Sequence, residues 1–108
     1  MAKKIIGRFY FKRTINKNLV GEFSNNQSQD EITTESADLI EGGEENFVGK
    51  YSATWREDVV PFFATLTISL KTGSTKLFTL EWRGGKCNFD GEGMLCDDIL
   101  IGNYWQTA

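Results

Sequence analysis

Apolar and polar side chains alternate with a period of two through most of the chain, and no apolar stripe of helical spacing lasts three turns. The first such segment places Ile5, Gly7, Phe9 and Phe11 on one face and Arg8, Tyr10 and Lys12 on the other. After a turn at Ile15–Asn18, Leu19, Gly21 and Phe23 alternate against Val20, Glu22 and Ser24. A weaker strand is expected from Ile32 to Ile40, followed by the acidic loop 41–46. Phe47, Gly49, Tyr51, Ala53 and Trp55 then share a face. The residues from Glu57 to Pro61 break the pattern, and Glu57 to Val60 is the one candidate for a short helical turn. Phe62, Ala64, Leu66, Ile68 and Leu70 form the cleanest apolar face, backed by the β-favouring Thr65, Thr67 and Ser69. Phe78, Leu80 and Trp82 follow, and Gly84-Gly85 turns the chain. The glycines of Asp90-Gly91-Glu92-Gly93 predict a hairpin centred on Gly91-Glu92, and a last strand runs from about Ile99 to Trp105.

Seven to eight strands without a long crossover predict an all-β domain spanning residues 1–108, a small antiparallel meandering barrel. The alternative is a β-sandwich. A recurrent pentad favours the barrel: two apolar residues, glycine, any residue, then Phe or Tyr. It occurs at Ile5–Phe9, Leu19–Phe23, Phe47–Tyr51 and Leu100–Tyr104. The glycines are 14, 28 and 53 residues apart, too irregular for a repeat architecture. Glycine and the aromatic two positions later point to the same face. Removing a side chain there suits tightly coiled strands, with an aromatic ring filling the space.

Strand starts of the type Gly-x-aromatic in a short meandering chain resemble those of calycin-type barrels: avidins, lipocalins and fatty-acid-binding proteins. The segment Phe47–Trp55, with Gly49, Tyr51 and Trp55, is similar to an avidin strand. The chain is shorter than a typical lipocalin. The resemblance implies a barrel whose open end holds a small apolar or amphipathic ligand.

Composition narrows the chemistry. With 40 % hydrophobic residues, the 108-residue chain has the apolar area for its own core. The basic start, Lys3-Lys4, is followed by no apolar signal region, and no stretch reaches the ~18 apolar residues of a membrane span. A cytoplasmic, non-membrane protein is the expectation. Histidine is absent, which removes His-based triads and the commonest metal ligand. Two cysteines alone make no structural zinc site. The carboxylates of Glu41/Glu44/Glu45, Asp90/Glu92 and Asp97/Asp98 lack calcium-loop spacing and read as solvated loops. No catalytic, cofactor-binding or metal residue is assigned from sequence.

Residues 1–17 carry six of the 12 basic side chains and none of the 15 acidic ones. A basic strand with Tyr10 between Arg8 and Lys12 is the footprint of a weak nucleic-acid binder. In a chain of net charge −3, pairing with Glu22, Asp97 or Asp98 is the favoured reading. Glu81 and Arg83 lie opposite the Phe78/Leu80/Trp82 face and are expected in water. Cys87 and Cys96 stand symmetrically about Gly91-Glu92, so the expected hairpin sets them opposite each other as a candidate redox pair, against two reduced thiols.

Three functions stand in order. The first is a non-enzymatic barrel for small-ligand binding or oligomeric interaction, with Phe9, Phe23, Tyr51, Trp55, Phe62, Trp82 and Tyr104 lining or filling the interior. Phe63, Tyr10 and Trp105 then face outwards as a candidate homodimer surface. The second is a cofactor-free lyase or isomerase, which requires a carboxylate inside the barrel beside a tyrosine. The third is nucleic-acid binding through the first strand.

Overall fold

Period-two segments joined by short turns make each strand pair with the next along the chain. The computed structural model describes residues 4–28, 30–44, 46–85 and 88–107. Its eight strands are β1 (Ile6–Arg13), β2 (Leu19–Asn25), β3 (Thr33–Gly42), β4 (Gly49–Glu57), β5 (Val60–Leu70), β6 (Leu77–Arg83), β7 (Phe89–Cys96) and β8 (Ile99–Gln106). Each is antiparallel to its neighbour, and β8 returns to β1 with Phe9 opposite Gly102. The sheet is therefore a closed meandering barrel and not a sandwich, and it has no free edge.

The expected inward faces turn inwards, except that Leu70, at the end of β5, is exposed. Phe11, Leu19, Leu66, Ile68, Phe78, Leu80 and Leu100 are fully buried in one half of the barrel. The glycines act across strands rather than along them. Gly7 lies opposite Tyr104, and a Cβ at Gly7 would sit 2.5 Å from that ring. Gly21 lies opposite Phe11, and Gly102 opposite Phe9. At Gly7 and Gly21 the ring over the glycine thus comes from the adjoining strand, whereas a Cβ at Gly102 would meet the β7 backbone at Glu92 and Gly93.

The end holding the β1–β2, β3–β4, β5–β6 and β7–β8 turns is plugged from within. Phe47, just before β4, is buried there, and its carbonyl accepts a 2.8 Å hydrogen bond from Tyr51 Oη. The Arg13 guanidinium lies 6.0 Å from the Phe47 ring centroid and donates to the Gly43 carbonyl. Arg13 shares the inward parity of Phe9 and Phe11, so the inner face of β1 ends in a cation that caps the core.

Three expectations are corrected. The hairpin about Gly91-Glu92 is instead one unbroken strand, β7, and the turn comes later, at Asp97-Asp98. Both glycines face inwards on that strand, where Gly91 packs beside the Trp82 ring. The short helical turn at Glu57–Val60 is a two-residue β-turn at Asp58-Val59, with Glu57 opposite Val60 and Asp58 at φ 58°. Among the described residues, β1 forms no ion pair with Glu22, Asp97 or Asp98. Its outer face makes hydrogen bonds between a charged and an uncharged side chain instead: Arg8 donates to Ser24 Oγ (2.9 Å), and Tyr10 Oη to Glu22.

Candidate functional site

The other end of the barrel, where the chain enters β1 and leaves β8, is built differently. On its inner wall β1 contributes Phe9, β2 Phe23, β4 Trp55, β6 Trp82, β7 Phe89 and β8 Tyr104. These rings pack edge to face: Phe9 on Trp82 (5.6 Å), Phe23 on Tyr104 (6.0 Å), Phe23 on Trp55 (6.1 Å) and Phe89 on Tyr104 (5.5 Å). Edge-to-face pairs of this kind fix one another's orientation. They surround a narrow cavity of about 30 Å³, space for roughly one or two water-sized groups. The cavity shares Ile5, Phe23, Asn25, Trp55 and Glu57 with a wider cleft of about 920 Å³ between the β2–β3 loop and the β4–β5 turn.

Glu35 stands on this wall. It lies on β3 between Gly21 of β2 and Trp55 of β4 and is 4 % exposed. Trp82 Nε1 donates to its Oε2 at 2.9 Å from across the barrel. No other hydrogen bond reaches the carboxyl from a described residue, so Oε1 is left for whatever enters the cavity. Burial pushes the carboxyl up to about 8, with the Trp82 hydrogen bond pulling the other way. At neutral pH Glu35 is therefore mainly a carboxylic acid, able to donate as well as accept.

Three polar groups surround it. Asn25 Nδ2 donates to Tyr104 Oη (3.0 Å). The Tyr104 phenol is pushed up to about 12, first by burial; Asn25 opposes the rise, and the charges of Glu35 and Glu57 add to it. At the rim, Trp55 Nε1 donates to Glu57 Oε2 (3.0 Å). A neutral acid, a phenol, an amide and a rim carboxylate thus project among six rings.

Of the seven interior aromatics expected from sequence, the site gathers Phe9, Phe23, Trp55, Trp82 and Tyr104. Tyr51 belongs to the plugged end, where burial raises its phenol and Arg13 opposes the shift. Phe62 is half-buried and stacks on Trp55 at 6.1 Å, with the planes 13° apart. Phe89, placed by sequence in the expected hairpin, starts β7 and joins the wall. Glu35 had a usable signal: it shares parity with the apolar Ala37 and Leu39, while the other parity holds Thr34, Ser36 and Asp38. The exposed Ile32 and Ile40 at either end of that segment obscured it.

No protein-family model, curated protein or solved structure matches this chain. The site is therefore read from its own geometry. Cys87 lies outside the described residues, and Cys96 is an exposed free thiol at the end of β7. Glu81 and Arg83 are exposed, and Arg83 pairs with Asp90 (2.7 Å) and Glu81 (3.5 Å). Phe63 is exposed on β5, away from Tyr10 on β1 and Trp105 on β8. Tyr10 instead continues a lateral row of exposed apolar residues, Leu77, Met94 and Ile101, across β6, β7 and β8.

Proposed function

We propose that the chain is a non-enzymatic, calycin-like barrel that binds one small amphipathic molecule at its open end. The observation that carries this reading is Glu35. A buried carboxyl with one oxygen free of protein partners costs stability that a well-packed apolar residue would not. Its position at the base of a ring-lined opening fits a group kept for a ligand, since binding sites are mostly apolar with a few placed polar atoms. The plug at the opposite end supports a single entrance.

The same carboxyl favours a second reading, the cofactor-free lyase or isomerase. An acid that titrates near neutrality beside a phenol is suited to moving protons. One experiment bears on both. The purified protein is weighed by native mass spectrometry, denatured, and the released molecule identified. Binding predicts a mass excess lost on denaturation, with the molecule unchanged by further incubation with protein. Conversion of that molecule into another compound supports the lyase or isomerase instead. A bare chain mass, together with no change in tryptophan fluorescence on adding apolar fluorophores, overturns both.

A further inference from the structure

The wall of the inner cavity has a chemical bias that the binding reading leaves open. Around six aromatic rings it carries two carboxyls, Glu35 and Glu57, and among the described residues no lysine or arginine lines it, although the charge of Arg8 reaches Tyr104. Ring faces attract cations and repel anions. A carboxylate on the ligand would face the ring faces and the Glu57 carboxylate at the rim, and a purely apolar ligand would leave Glu35 Oε1 unpartnered. A cation would satisfy both features.

Resting on the binding reading, we propose that the open end takes the ammonium head of a small primary amine, seated against Glu35 among the rings, with its apolar tail in the outer cleft. Size selects the type of cation. About 30 Å³ accepts a water-sized ammonium group, whereas a trimethylammonium head needs side chains to move. The cleft offers Ile5, Phe23, Ile32 and Trp55 to a tail of a few carbons.

The groups facing Glu35 set the proton balance. Trp82 on β6 donates to it, Tyr104 on β8 stays protonated, Glu57 on β4 adds negative charge at the rim, and β2 presents Asn25. Below about pH 8 the free protein holds Glu35 as the acid. Seating an ammonium ion beside it favours the carboxylate, so the carboxyl proton leaves to solvent and an ammonium–carboxylate pair remains. Affinity for the amine therefore rises with pH up to about 8 and then levels off.

Three probes with one tail test this: n-butylammonium, 1-butanol and butyrate, followed through the indole N–H resonances of Trp82 and Trp55. Butylammonium is expected to bind at least tenfold more tightly than either of the others, and at least tenfold more tightly than tetramethylammonium. Calorimetry at pH 7 in phosphate and in MOPS should show proton release for the amine and none for butanol. Glu35→Gln should lose the preference for the amine and the proton release while keeping its butanol affinity. Proton release from the unmodified protein decides the matter should the variant fold poorly. Equal or tighter binding of butanol or butyrate overturns the amine assignment and leaves the binding barrel standing. Failure of all the probes overturns the amine assignment, while a retained ligand in the native mass spectrum still upholds the barrel reading.

Discussion

Glu35 departs from the rule that charged residues stay outside a small core, and its cost is open to measurement. Its carboxyl titrates at 4.5 in an ordinary setting and at about 8 in the fold, because burial penalises the charged form. The folded state holds the proton more tightly than the unfolded one. Its contribution is therefore most favourable below pH 4.5 and is lost as pH rises towards 8, at about 1.4 kcal/mol per pH unit across that window. Glu35→Gln keeps an acceptor for Trp82 and removes the titration. Thermal melts from pH 4 to pH 9 should show the variant gaining on the parent through the window and holding a constant lead above it. Parallel profiles would mean that the carboxyl is hydrated rather than buried. The residue was half legible in the sequence: parity with Ala37 and Leu39 pointed inwards, but charge argued against it, and only the register of β3 against β4 decides between them.

The strands were the most legible level, because side-chain direction in a sheet follows parity alone. The turns were less so. Gly91 and Gly93 drew the reading to a hairpin, yet they serve close packing inside β7, while the tight turns use Asp58 and Asp97 at positive φ. An aspartate tolerates that conformation without announcing it as glycine does. The recurrent glycines make a prediction about strand pairs. A Cβ at Gly21 would lie 1.9 Å from the Tyr10 carbonyl oxygen, and one at Gly102 lies equally close to that of Glu92. Backbone on a paired strand cannot give way singly, so Gly21→Ala and Gly102→Ala should each cost at least ~2 kcal/mol in urea titrations. At Gly93 the nearest atom is the Leu100 Cδ1 tip at 3.0 Å, which can turn aside. Gly93→Ala should be the mildest of the three. The reverse order would place the tight packing elsewhere in the barrel.

At the scale of the molecule, the barrel divides its aromatic residues between two ends. Phe47 sits with Tyr51 and Arg13 in the plug, where it is 4 % exposed and lines neither the inner cavity nor the open cleft. Phe89 is half-buried at the open end, packed edge-on to Tyr104. Parity put Phe47 inside but did not say at which end, because a period of two fixes the face of a residue and not its depth. Stability and binding should therefore separate along the barrel axis. Phe47→Leu removes part of a ring from a closed core, so it should lower the melting temperature while n-butylammonium affinity stays within about twofold. The stability cost of such a swap is on the order of 1 kcal/mol. Phe89→Leu should do the opposite, costing less stability and weakening the amine severalfold, because it removes one ring of the cation's surroundings and loosens Tyr104. Melting curves and indole N–H titrations on the two variants measure both quantities on the same samples. A loss of affinity in Phe47→Leu as large as in Phe89→Leu would mean that the plug transmits to the mouth through the shared core. The two ends would then have to be treated as one site.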